Sequence, residues 1–220
     1  MSNETYLPKL PYFDHLSESQ KNKIADSWSK KSYKKGEVIY GGAKECLGQI
    51  LILSGSVRNY ILSEEGREIT LFVLHPDDTC VLSASCVINQ ITFETQMIAE
   101  TDTEMMILNS GVVSFLAEEN IYVKCYMYEL LAKRFSTVMW VMQEILFKGF
   151  DRRLATFLIN EYERTGNPKI KMTHEQIAQY TNSAREVVAR MLKRFSYDGY
   201  VEHARGVITL KDIDGLKDII

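Results

Sequence analysis

The sequence predicts an α+β protein in three parts: an N-terminal antiparallel β domain, a long single helix, and a C-terminal winged helix-turn-helix. Short β-type runs split by glycine turns fill about Tyr33–Leu108, and an apolar stripe spaced alternately three and four residues apart runs through 120–148. Two short capped helices then meet at Thr181-Asn182, ahead of a β-ribbon. The division expected is 1–119, 120–149 and 150–220.

In the first part the runs Gln49–Leu53, Val57–Leu62 and Ile69–Leu74 are punctuated by Gly36, Gly55, Gly66 and Pro76-Asp77-Asp78, which suits an antiparallel sandwich, roll or barrel. Glu64-Glu65-Gly66 is the clearest hairpin turn. Flanking helices are expected at Ser17–Lys30 and Asn109–Glu119, each opened by a polar cap.

The stripe Tyr128, Leu131, Phe135, Val138, Met142 and Ile145 is an a/d heptad pattern. At 1.5 Å per residue the helix would run roughly 43 Å, too long to hide inside so small a domain. It needs a partner surface, and its twin in a homodimer is the simplest one. Packing on its own sheet is the alternative, and Met139, Trp140 and Val141 allow the helix to do both.

Lys148-Gly149-Phe150 interrupts that helix, so Gly149, Phe150 and Asp151 read as a hinge, with Asp151 capping a new helix over Arg152–Arg164. That helix ends at Thr165-Gly166-Asn167-Pro168. A short strand is expected at Ile170–Met172, and a ribbon over Val201–Leu210 turns at Ala204-Arg205-Gly206.

Thr173-His174-Glu175-Gln176 fits a capping box opening a two-turn helix, and Ser183-Ala184-Arg185-Glu186 fits a second one. Between them Asn182 tolerates the left-handed backbone that a sharp interhelical turn requires. In the second helix Ala184, Val188, Met191, Leu192 and Phe195 share one face, while Glu186, Ala189, Arg190 and Lys193 share the other. One face packs and the other is presented, which with the ribbon defines a winged helix-turn-helix.

The charge pattern agrees. The 220 residues carry 26 Lys+Arg against 29 Asp+Glu, a net charge of −3 that excludes a strongly basic nucleic-acid coat and an acidic disordered tail. Residues 150–220 nevertheless hold 12 basic and 10 acidic side chains. Within Ser183–Arg194, Arg185, Arg190, Lys193 and Arg194 face the single acid Glu186. The candidate DNA-contacting residues are therefore Ser183, Arg185, Glu186, Ala189, Arg190 and Lys193. An Arg fork suits guanine O6 and N7, Glu can accept from cytosine N4, and Lys neutralises phosphate. A solvated face with a Glu186–Arg190 pair is the ordinary meaning of such charges, and the paired caps, the Asn turn and the wing argue against it.

Catalytic and metal signals fail. His174-Glu175 would need a second histidine at position 178, which is Ala178. There is neither a phosphate loop ending in Lys-Ser/Thr nor a Gly-x-Ser-x-Gly elbow, so an enzyme is not expected. Cysteines at 46, 80, 86 and 125 lack zinc spacing, and His15, His75 and His203 are scattered, so no metal site is expected. The start MSNETYLPKLPYF lacks a secretory pattern and no apolar stretch reaches about 18 residues, which predicts no membrane partner and a cytoplasmic location.

The stretch T-H-E-Q-I-A-Q-Y-T-N-S-A-R-E-V-V-A-R-M-L resembles the recognition unit of the CRP/FNR family, and L-S-G-S-V-R and E-E-G-R-E extend the resemblance into the β region. It implies a cyclic-nucleotide-binding-like β-roll that senses an effector, a dimerisation helix and a hinge at Asp151. It further implies a homodimeric transcriptional regulator on pseudo-palindromic double-stranded DNA, with RNA polymerase as downstream partner if it activates. Arg185, Glu186 and Arg190 occupy the family's R-E-x-x-x-R reading positions, which implies a half-site related to TGTGA.

The effector region departs from the family's cyclic AMP pattern, because the Gly-Glu and Arg-Ser pairs are missing and Phe93-Glu94 stands about where Arg-Ser would hold the phosphate. A carboxylate there repels a cyclic phosphate. Met139 and Trp140 likewise stand where that branch has hydroxyls. An iron–sulfur cluster is not expected either, since the first cysteine is Cys46. The effector is an unidentified small molecule with the candidate pocket Cys80, Ser83, Ser85, Cys86, Phe93, Glu94, Met97 and Trp140. A redox- or metal-responsive regulator using Cys80 and Cys86, and a winged-helix protein-interaction module, are the alternatives.

Overall fold

The computed structural model describes residues 7–41, 47–64, 66–81, 95–204 and 206–220. It divides into two compact units, the second comprising Arg67–Thr70 and Met139–Ile220.

In the N-terminal unit, α1 (Glu18–Ser27) opens on a capping box in which the Gln20 amide donates to Ser17 Oγ and the Ser17 amide to Gln20 Oε1. The helix expected to reach Lys30 stops at Ser27. Trp28–Tyr33 instead forms β1, paired over six residues with β8 (Thr103–Leu108), which buries Trp28. Sheet pairing outweighs the helical preference of Lys30 and Lys31.

Two antiparallel four-stranded sheets follow. One has the order β1-β8-β3-β6, with β3 at Gln49–Ser54 and β6 at Thr79–Cys80. The other has the order β2-β7-β4-β5, with β2 at Val38–Tyr40, β4 at Val57–Leu62, β5 at Glu68–Leu74 and β7 at Gln96–Ala99. The unbroken apolar run Ile50-Leu51-Ile52 marks a strand covered on both faces. Ile50 and Ile52, with Met105 and Ile107, face the core shared with Val57, Leu74, Met97 and Ala99. Leu51, Met106 and Leu108 face Ile24, Val113, Leu116, Val123 and Met127. Gly55 has φ +84°, and a Cβ there would run into the Asp102 carbonyl, so only glycine closes the β3–β4 turn.

The helix α2 (Ser110–Glu119) is capped by Asn109, whose side chain accepts from the Gly111 amide at 2.8 Å. The long α3 runs Ile121–Phe147, one residue inside the expected span at each end. Its inward flank Val123, Met127, Leu130 and Arg134 repeats at four, three and four residues. Leu131 and Val138 of the stripe are partly buried against the sheet cores, whereas Tyr128, Phe135, Met139, Met142 and Leu146 stay exposed. No described helix is long and apolar enough to cross a membrane.

In the C-terminal unit α4 covers Phe150–Thr165. Asp151 is not its cap. The helix begins two residues earlier than expected, at Phe150 with Gly149 as its N-cap, which places Asp151 inside the first turn, where its charge suits the helix dipole without capping an amide. The helix ends at Gly166, φ +66°, whose amide donates to the Tyr162 carbonyl at 2.7 Å. The expected Ile170–Met172 strand is β9 at Lys169–Ile170, because among the described residues only those two find partners, Thr209 and Ile208, on the strand Val207–Leu210. With β10 (Val201–Ala204) and β11 (Val207–Leu210) it makes the sheet β10-β11-β9. A final helix, α7 (Ile213–Ile219), capped by Asp212 and seated through Leu216, was outside the sequence expectation.

Candidate nucleic-acid interface

Two helices and the ribbon build the site. The first, α5 (His174–Tyr180), has the expected capping box: the Gln176 amide donates to Thr173 Oγ1 at 3.2 Å and the Thr173 amide to Gln176 Oε1 at 2.9 Å. Its Ile177 and Ala178 are buried. The turn then tightens as the Thr181 amide donates to the Ile177 carbonyl and the Ser183 amide to the Ala178 carbonyl, each at 2.9 Å. Asn182 sits at φ +51°, the left-handed conformation expected of it.

The second helix, α6, spans Arg185–Tyr197, and its cap corrects the expectation. Ala184 is the N-cap, and its methyl side chain has no acceptor to offer, while the Ser183 amide donates to the Ala178 carbonyl within the turn. Glu186 therefore falls at the second helical position instead of the third, and its carboxylate is not drawn back to the Ser183 amide. Val188, Leu192 and Phe195 are buried in the core of this unit with Leu154, Leu158, Ile177 and Ile208. Met191 packs partly against it, while Ala184, expected inward, is exposed because it precedes the helix.

The opposite face carries Arg185, Glu186, Arg190 and Lys193, all exposed, with Ala189 and Ser183 partly buried among them. Among the described residues none of these four charges enters a salt bridge, so the Glu186–Arg190 pair is not made. Arg194, by contrast, lies 3.6 Å from Asp198. The face thus offers two guanidinium forks, one ammonium and one carboxylate to an outside partner, and a helix of this width fits the DNA major groove. Beside it, Glu202 of β10 is held by Lys211 at 2.7 Å, which keeps its carboxyl below the usual carboxylate range. Burial, then His203, then Arg185 hold the His174 imidazole below its ordinary value.

The candidate effector residues are only partly placed. Cys80 and Met97 are fully buried in one core cluster between the sheets, and Trp140 is half-exposed on α3. Ser83, Ser85, Cys86, Phe93 and Glu94 lie outside the described residues. Among the described residues no group of three His, Cys, Asp or Glu side chains could hold a metal ion. Arg134 escaped the sequence reading: it is 7% exposed, its Nη2 donates to the Thr79 carbonyl at 2.9 Å, and its guanidinium lies 4.5 Å above the Phe72 ring.

Comparison with known proteins accounts for both units. Residues 152–219 match the Crp-like helix-turn-helix domain and residues 30–120 the cyclic nucleotide-binding domain. The regulatory protein HlyX of Actinobacillus pleuropneumoniae is 25% identical over 85% of this chain and 80% of its own. The cyclic AMP receptor protein of Thermus thermophilus is 23% identical over 95% and 96%. A crystal structure of a transcriptional regulator from Eubacterium rectale, assigned to the Crp/Fnr family, is 40% identical with a TM-score of 0.92, covering 96% of this chain and 98% of its own. A helix-turn-helix with its charged face presented, joined to an antiparallel roll and matched along nearly its whole length, makes this chain a member of the CRP/FNR family of transcriptional regulators.

Proposed function

We propose that the chain works as a homodimeric, sequence-specific DNA-binding regulator whose α6 reads base edges while an effector bound by the roll sets its activity. The observation that carries this reading is the division of α6, with Val188, Leu192 and Phe195 buried and Arg185, Glu186, Arg190 and Lys193 presented outside any salt bridge among the described residues. Arg185 and Arg190 grip guanine edges, Glu186 accepts from cytosine, and Lys193 meets phosphate. Ser183 and Ala189 sit close to the duplex.

Dimerisation follows from α3. Tyr128, Phe135, Met139, Met142 and Leu146 form an exposed seam at heptad-type spacing, and burying it against a second copy removes that apolar surface from water. A two-fold dimer presents its reading helices to half-sites about one helical turn apart, roughly 34 Å, so the target is a pseudo-palindrome. The hinge at Gly149, Phe150 and Asp151 transmits effector occupancy to their spacing.

The effector differs from that named for the Thermus relative, a reading supported by the sequence alone, in which Phe93-Glu94 stands about where an Arg-Ser pair would hold a cyclic phosphate. The full burial of Cys80 favours a core role over thiol sensing. The protein acts in the cytoplasm as a regulator, with catalysis playing no part. Selection of the purified protein on random duplexes tests the reading. Enrichment of a two-fold symmetric sequence supports it, and recovery of no sequence contradicts it in favour of a protein-interaction module.

A further inference from the structure

The outward stripe of α6 does not end at Lys193. Tyr197, the last residue of the helix, is 92% exposed, the highest value among the exposed large hydrophobic side chains of the described residues. At 100° per residue it falls within about 40° of Glu186, Arg190 and Lys193, so these side chains leave the helix in nearly one direction. Phe195, two residues earlier, takes the inward position and is buried, with Tyr200 edge-on at 5.8 Å. Tyr197 makes no hydrogen bond, ion pair or ring contact among the described residues, so neither its ring nor its hydroxyl is committed to the fold.

We propose that Tyr197 is a further DNA contact, whose phenol hydroxyl donates to a phosphate diester on the strand bordering the half-site. The proposal rests on the reading of α6 as the DNA-contacting helix, and it adds to that helix an uncharged residue that the charge pattern does not single out.

The length of α6 places Tyr197 at the strand. From Arg185 to Tyr197 the helix rises about 18 Å at 1.5 Å per residue, whereas the major groove is about 12 Å wide. Across the groove the helix is longer than the gap, and along the groove the duplex curves away from a straight rod. In either orientation a helix whose first turns meet base edges brings its far end to the sugar–phosphate wall. Tyr197 stands about 10 Å beyond Arg190 along the axis, at that far end.

The chemistry suits the location. A phosphate diester carries one negative charge and no proton near neutral pH, so it accepts hydrogen bonds and donates none. A phenol supplies one O–H donor, and tyrosine is among the side chains that bond phosphate oxygens. Lys193, four residues back on the same stripe, brings the positive charge. Asp198, the acid next in sequence, lies 3.6 Å from Arg194, so its charge is answered at the helix end instead of facing the strand alone. A phenol is uncharged near neutral pH and displaces no counterion, so its hydrogen bond adds affinity without adding salt dependence.

The test uses the full-length protein and its selected duplex. Tyr197→Phe keeps the ring and removes only the hydroxyl. It is expected to weaken binding about threefold to tenfold for every half-site sequence, with base preference intact. The slope of log affinity against log salt is expected to stay at the wild-type value, unlike the fall of about one for Lys193→Ala. Duplexes carrying one uncharged methylphosphonate linkage each, stepped through the half-site and its flanks, locate the phosphate. One flanking linkage is expected to weaken the wild-type protein at least about threefold more than it weakens Tyr197→Phe. Unaltered affinity of Tyr197→Phe, a changed base preference or salt slope, or equal sensitivity of the two proteins at every linkage overturns the proposal. Should the wild-type protein select no duplex, the reading of α6 itself falls; a wild type that selects, with Tyr197→Phe its equal, removes Tyr197 alone.

Discussion

The Arg153 guanidinium donates to the Lys148 carbonyl at 2.9 Å and reaches the Ile145 carbonyl at 3.4 Å, fastening the first turn of α4 to the last turn of α3. The last carbonyls of a helix have no partner within it, and here a charged donor from the next helix supplies one. The break between α3 and α4 at Gly149 is thus bridged by a side chain four residues on. Replacing Arg153 by Met is expected to destabilise the C-terminal unit by about 1–3 kcal/mol, the usual worth of hydrogen bonds to a charged group. Thermal unfolding followed by circular dichroism measures it, and an unchanged midpoint would remove the hinge bond from the account.

The turn between α5 and α6 depends on a backbone conformation that most side chains avoid. Asn182 Oδ1 accepts from the Thr70 amide at 2.8 Å and its Nδ2 donates to the Thr70 carbonyl at 3.1 Å; Asn182→Gly and Asn182→Ala both remove these bonds, so the difference between them isolates the left-handed conformation at φ +51°. The glycine variant is expected to be more stable by about 1 kcal/mol, measured by urea denaturation of the two proteins side by side. Equal stabilities would mean that the turn relaxes to another conformation.

Phe135 is 67% exposed at the centre of the α3 seam. Phe135→Glu sets two carboxylates against each other across the proposed two-fold contact and is expected to convert the dimer to monomer at micromolar concentration in sedimentation velocity. DNA affinity should fall with it, because two half-sites are no longer engaged together. A dimer that survives the substitution would place the interface elsewhere.

Much of this fold was legible because periodicity reports burial. The capping boxes at Ser17 and Thr173, the limits of α3 and the left-handed Asn182 follow from residues within a few positions of one another. What was not legible depended on distant partners. Trp28–Tyr33 is a strand because β8 lies beside it, and β9 shortens to two residues because β11 offers two. The second capping box failed because the turn extends through Ser183, whose amide bonds back to the Ala178 carbonyl, so that the helix is capped one residue later at Ala184. Arg134 is buried against Thr79 and Phe72, far from it in sequence. In the candidate site the outward face of α6 was readable from 100° spacing, whereas the His174–His203 pairing required the ribbon to fold back on α5.

The effector prediction concerns cyclic AMP. Titration calorimetry of the full-length protein is expected to show no saturable uptake at micromolar concentration, since in the sequence Phe93-Glu94 takes the place expected of a phosphate-binding Arg-Ser pair. Saturable micromolar binding would reverse the reading of Phe93-Glu94.

Binding across half-site variants at fixed salt separates base reading by the outward face of α6 from simple phosphate anchoring. Arg190→Ala is expected to relax preference at one base position, erasing discrimination of about 1–3 kcal/mol there. Lys193→Ala should weaken binding to every sequence alike and lower the salt slope by about one. If Arg190→Ala instead lost affinity uniformly, with base preference intact at every position, α6 would be a phosphate anchor and the account of sequence reading would be wrong.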